Sequence, residues 1–140
     1  MAKPAKRTGK DAQGWTKDTP RLVRTVSKGP AASYGNRIIG YGTQPASQLL
    51  PNAQNFRGHP KEQQTVLDHN LHDIGFAQAV IVNKRSAPEW GSNRHVETLV
   101  DGHLRVELAL SHGDDTDVPV VYVDLSPEEE RRTLLSFDAI

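Results

Sequence analysis

The sequence predicts an α+β fold, a small mixed β-sheet with three flanking helices, preceded by a flexible basic arm. Three observations carry this prediction. Apolar patterning over 36–140 alternates in the order strand, helix, strand, strand, helix, strand, helix, with no internal repeat. The segment 118–125 (VPVVYVDL) is nearly continuous in β-branched residues and reads as a central strand covered on both faces. The charge is also divided. Residues 1–37 hold nine Lys/Arg against two Asp/Glu, a balance of +7, and residues 38–140 hold eight against fifteen, a balance of −7. The formal net charge of zero over 140 residues therefore describes neither part.

Residues 1–35 read as the arm and 36–140 as the folded domain. Lys, Arg, Thr, Ser, Gly and Pro dominate the arm, and no stretch of it keeps a helical or strand period, although Leu22, Val23 and Val26 can dock locally. Such an arm is either a solvated tail or an electrostatic tether to nucleic acid, because Lys and Arg neutralise phosphates and release counterions. The chain has no Cys, which removes disulfides, thiolate metal sites and thiol chemistry together. No apolar run approaches the ~18 residues of a membrane span. The basic N-terminus lacks the apolar stretch of a secretory signal. A cytoplasmic protein without membrane contact is expected.

Within the domain, 37–41 (RIIGY) predicts a short first strand, and Gln48 to Leu50 lead into a turn at Pro51-Asn52. Residues 55–60 (NFRGHP) form a loop. His59 then stands at an N-cap with Pro60 at the first helical position. Leu67, Leu71 and Ile74 fall at i, i+4 and i+7 on one stripe, and Gly75 ends the helix in a left-handed conformation. Residues 79–82 (AVIV) read as a buried strand and 96–100 (VETLV) as the second strand of a pair, joined by a polar loop over 84–95 with Pro88 and Gly91. The chain turns at Asp101-Gly102-His103. A helix over 104–111 places Leu104, Leu108 and Ala109 on one side and stops at Gly113. Asp114, Asp115 and Asp117 form an acidic surface loop. Pro119 belongs at the beginning of the 118–125 strand. Ser126 caps the last helix, with Glu129 completing a capping box and acidic residues facing the positive helix end.

The turn from Val100 to Arg105 is the most informative place for chemistry. A strand ends at Asp101, Gly102 permits a tight turn and close approach of a ligand to the backbone, and a helix begins near His103. A helix start after such a turn is an anion site. His103 can donate to a phosphate or act as acid or base. Arg105 offers a planar fork matched to phosphate, and Asp101 can hold a metal or orient a nucleophile. The competing reading is an Asp N-cap with an incidental His and Arg. His69 and His72, beside Asp68 and Asp73, have metal-ligand spacing. They lie off the apolar stripe with no third partner near them in the sequence, so they read as a solvated helix face. His95 and His112 have less support still. No nucleophile elbow and no P-loop is present.

These residues resemble the ParB N-terminal domain, also called the ParB-like nuclease domain, of the ParB/sulfiredoxin fold, closest to its phage and prophage type. The matching pieces are Asn36-Arg37-Ile38 with Gly40; Gln48-Leu49-Leu50 and Asn52; Asn55-Phe56-Arg57 with His59-Pro60; Gln63-Gln64; Gly75-Phe76 with Gln78; Val80 to Asn83; Val100 to Arg105; and Val118 to Glu130. The resemblance implies a nucleotide or polyphosphate site at the turn, for CTP or ATP, with Mg2+ or Mn2+. By it, Gly102, His103 and Arg105 contact phosphates, Arg57 adds a second positive group, and Gln78 lies where the family's strand-opening Gln meets nucleotide. Asp101 becomes the metal ligand and, with His103, the acid/base candidate. The position of the sulfiredoxin Cys is His103 here, so sulfiredoxin chemistry is excluded. The helical DNA-binding and dimer-closing domains of a partition ParB are not expected, nor is a site-specific sliding clamp. The 84–95 loop is longer than the family's hairpin.

Two functions from different classes follow. One is a metal-dependent nuclease or NTPase acting on DNA. The other is a non-catalytic nucleotide-sensing or DNA-associated adaptor working beside a phage DNA methyltransferase or packaging enzyme. A small-molecule kinase, which serine kinases of this fold suggest, lacks a placeable catalytic Glu. The acidic body is a poor DNA binder on general electrostatics, so any DNA contact comes from the arm, from local positives such as Arg57 and Arg105, or through bound metal. Deleting residues 1–33 is expected to weaken duplex DNA binding and flatten its salt dependence, read as the slope of log K against log salt. An unchanged slope would leave the arm without phosphate contacts.

Overall fold

Strand β4 (Asp117–Val123) organises the sheet. β1 (Ile38–Pro45) pairs with it antiparallel on one side and β2 (Val80–Asn83) parallel on the other. β3 (Thr98–Asp101) pairs antiparallel with β2, giving the order β1-β4-β2-β3 and the mixed sheet that the sequence predicts. The structure is a computed structural model and describes residues 24–25, 29–54 and 58–137. These elements belong to the compact unit Gly35–Ile140. Leu22, Val23 and Val26, with most of the arm, lie outside the described residues. Among the described residues no helix is long and apolar enough to cross a membrane.

Three α-helices accompany the sheet: α1 (Lys61–Asp73), α2 (His103–His112) and α3 (Pro127–Ser136). Val80 and Val82 of β2, Leu99 of β3 and Val118 and Val120 of β4 form the core with Val106 and Ala109 of α2 and Ala46 and Leu49 of the segment after β1. β4 is central as predicted, but its coverage is unequal. Val118 and Val120 are sealed, whereas Pro119 and Val121 are half-buried. Pro119 stands opposite Thr43, as the third residue of the strand.

Several boundaries differ from the sequence reading for identifiable reasons. β1 runs to Pro45 instead of 41, because backbone pairing to β4 holds its polar second half on the sheet edge. β4 stops at Val123, since the Asn83 side chain takes both backbone groups of Leu125, accepting from its N–H at 2.7 Å and donating to its C=O at 3.1 Å. Pro60 is the N-cap of α1, one residue earlier in role than predicted. The α1 stripe is not a core face: Leu67 and Leu71 are half-buried, Ile74 is 75% exposed, and no α1 residue is buried. In α2, Val106 joins Leu104 and Ala109 inside, and Leu108 is only half-buried. The polar 84–95 loop carries two 3-10 turns within Pro88–Asn93, broken at Gly91, where φ is +59.

The predicted capping box of α3 is present: the Ser126 hydroxyl accepts from the Glu129 N–H, and the Glu129 carboxylate accepts from the Ser126 N–H. Arg37 places its fork on the same carboxylate at 2.5 and 3.0 Å and also donates to the Asp124 carbonyl. The Arg37 guanidinium, then the Ser126 amide, holds the Glu129 carboxyl down at about 2.

One residue further on, Glu130 is 3% exposed and accepts three hydrogen bonds from two residues. Arg85 donates to it twice, at 3.1 and 2.9 Å, and Asn83 Nδ2 donates at 3.0 Å. Arg85 also lies 4.0 Å over the Trp90 ring, and Trp90 Nε1 donates to Leu125. Removing one partner of such a buried pair strands the other charge, at a cost of about 3–5 kcal/mol. Arg85→Ala is therefore expected to lower unfolding stability by about that amount in urea titration. Curves that coincide with wild type would show that Glu130 is solvated.

Candidate functional site

β3 delivers the chain to Asp101, and α2 begins two residues later. Gly102 makes the connection at φ +98, ψ +19, a left-handed conformation that side chains resist. Space excludes a side chain as well. A Cβ at Gly102 would lie 2.5 Å from Val80 Cγ1 and 3.0 Å from Arg105 Nη2. The glycine is thus required by the strand packed behind it. The N-cap of α2 is Gly102, and no side chain caps it, which sets aside the Asp N-cap reading.

The predicted residues gather around one cavity of about 1160 Å3, lined by Gln78, Asp101, Gly102, His103 and Arg105. Arg57, predicted to add positive charge, lies outside the described residues. Arg105 leans back along the turn. Its Nη2 is 3.3 Å from the Ala79 carbonyl and 3.6 Å from Asp101 Oδ2, both long contacts, and the side chains of Arg105 and Asp101 are each 17% exposed. Arg105 Nε is buried without a hydrogen-bond partner. A buried N–H of this kind calls for a cause, because nearly all such groups are satisfied in folded proteins.

His103 has a structural engagement that the sequence did not reveal. Its Nε2 accepts from the backbone N–H of Asn52 at 3.0 Å, which places the ring proton of the neutral imidazole on Nδ1. Asn52 is buried. Its side chain donates to the Leu99 carbonyl at 3.1 Å and accepts from the Gln54 N–H at 2.9 Å. The 51–54 turn is thereby pinned to β3 and to the first residue of α2, and Gln54 reaches the cavity rim.

The other walls come from α1 and α3. Glu62, Gln63, Leu67 and Asn70 line the cavity from α1, and Arg131 and Leu135 line it from α3. The sequence reading did not identify Glu62, Asn70 or Arg131 as site residues. A signal was available in α1: Gln63, Leu67 and Asn70 stand at i, i+4 and i+7, so they share a face. That face carries amides beside Leu67, as a cavity wall does and a core face does not. Arg131 had no such signal, because only the docking of α3 brings it to the cavity.

No family model and no curated protein matches the sequence. Solved structures do match. One is the C-terminally truncated chromosome-partitioning protein ParB from Caulobacter crescentus, complexed with CTP-γ-S, at a TM-score of 0.56 and 18% identity over 71% of this chain. Another is a Pnob8-like ParB-N domain, at a TM-score of 0.52 and 13% identity, also over 71% of this chain. The matches span 53% and 37% of those two chains, so the likeness is to a part of each. The fold is ParB-like, as the sequence resemblance implies.

Gly102→Ala is expected to cost about 2–4 kcal/mol, combining left-handed strain with overpacking against Val80. A double-mutant cycle checks the second part. The cost should fall in a Val80→Ala background, and strictly additive effects would refute the packing account.

Proposed function

We propose that the cavity binds a nucleoside triphosphate, CTP or ATP, with its phosphates on the turn from Asp101 to Arg105. The observation that carries this reading is the under-satisfied fork of Arg105. Protein atoms give its Nη2 only long contacts and its Nε none, on a residue that lines the cavity. Phosphate oxygens match a guanidinium in charge and geometry, and the start of α2, uncapped by a side chain, adds favourable dipoles. The CTP analogue held by the Caulobacter ParB supports the choice of ligand class. In this reading Arg105 and His103 meet phosphate, Gln78 meets the nucleoside, and Arg57 supplies further positive charge.

A divalent cation, Mg2+ or Mn2+, would be held by Asp101 with phosphate oxygens completing its shell. Glu62 favours a second, enzymatic reading, since it brings a second carboxylate to the same cavity. Metal-dependent NTPase or nuclease activity needs such a group to hold metal or accept a proton.

Thermal denaturation with each NTP and Mg2+ or Mn2+ tests both readings. Wild type should be stabilised, by about 2.7 kcal/mol at a hundredfold excess over Kd, and Arg105→Ala should lose most of this. No stabilisation by any NTP would overturn the proposal. Release of phosphate or cleavage of DNA that disappears in Asp101→Asn and Glu62→Gln would establish the enzyme. Binding without turnover would establish a nucleotide-sensing module.

A further inference from the structure

Away from the cavity, the far ends of α1 and α2 bring together side chains that the sequence holds 40 residues apart. Asp68 and His72 stand one turn apart on α1, and His112 is the last residue of α2. His112 Nε2 lies 3.0 Å from Asp68 Oδ1 and 3.0 Å from His72 Nε2. The three ligand atoms all fall within 4.8 Å of one another. The two imidazoles meet edge to face, with centroids 4.3 Å apart and an interplanar angle of 81°. None of the three residues lines the cavity.

The contacts are over-subscribed for neutral rings. Each Nε2 carries either a proton or a lone pair. If His112 Nε2 gives its proton to Asp68, it has no lone pair with which to accept from His72. Two nitrogens and a carboxylate oxygen then share one proton. A divalent cation resolves this crowding by accepting all three lone pairs at once. Metal–ligand distances near 2.0–2.1 Å in a tetrahedron set ligand–ligand separations of about 3.3 Å, close to the 3.0 Å of the two pairs that His112 makes. Two imidazoles and one carboxylate suit Zn2+ and neighbouring transition ions over Mg2+ or Ca2+. His112 and Asp68 remain 43% and 37% exposed, which leaves further coordination positions to water. His69, one turn from Asp73 and 3.0 Å from its carboxylate, is engaged elsewhere on α1.

We propose that Asp68, His72 and His112 form a binding site for Zn2+ or a similar transition-metal ion, clamping the C-terminal turn of α2 to α1. The clamp has mechanical sense, because α1 buries none of its residues and lacks the apolar anchoring that α2 enjoys.

The test uses the full chain, free of any histidine tag, titrated with Zn2+ by calorimetry and with Co2+ by visible absorption. One ion per chain should bind, with the intense bands of low-coordinate cobalt, and Zn2+ should raise the melting temperature. His112→Ala and His72→Ala should each weaken Zn2+ binding by about tenfold or more, while His69→Ala leaves it unchanged. Far-UV circular dichroism confirms that the variants remain folded. Absence of saturable binding, equal affinity in His112→Ala and wild type, or an equal loss in His69→Ala would each overturn the site.

Discussion

The buried carboxylate of Glu130 constrains much of the arrangement. It arrives on α3 at a place closed to water, so its charge has to be met by the protein. Asn83 at the end of β2 and Arg85 two residues beyond it meet it, and Asn83 simultaneously holds both backbone groups of Leu125. A single polar cluster therefore ends β4, starts α3 in a fixed place and orders the loop after β2. Arg85 is held at φ +54 in doing so, a conformation unusual for a bulky residue. Buried ion pairs contribute little net stability compared with apolar packing, but they are intolerant of the wrong geometry. Here that intolerance fixes the direction from which Arg131 and Leu135 approach the cavity.

The opposite wall is set by shape. Val80 presses against the Gly102 backbone so closely that no side chain fits between them, and the turn is fixed relative to β2. His103 reaches across to the Asn52 amide and Asn52 reaches back to Leu99. The turn is braced on both sides by groups already committed to the fold. Arg105 is the member of the cluster whose donors the fold leaves under-used. That under-satisfied guanidinium in a rigid frame is what the proposed phosphate site rests on.

The sequence showed clearly what depends on local chemistry. The capping box at Ser126 and Glu129, the stop at Gly75 and the strand–turn–helix of the site all follow from residues within a few positions of each other. It misled where tertiary packing decides. The Leu67–Leu71–Ile74 spacing does mark a helix, but that stripe is no core face: Leu67 turns to the cavity beside Gln63 and Asn70, and Ile74 is exposed. Polar residues at the end of β1 belong to the sheet because β4 runs beside them. His112 looked isolated because its partners stand on another helix. Arg131 and Glu62 could not be joined to Asp101 until the helices were docked.

The shallow seating of α1 sets a gradient of local stability across the domain. Amides of β2 and β4, enclosed by the core, can exchange with solvent only when the whole unit opens. Those of α1 are held by the helix and by half-buried Leu67 and Leu71, so they open in a smaller excursion that leaves the sheet intact. The element that lines one side of the cavity is thus seated less firmly than the sheet behind it.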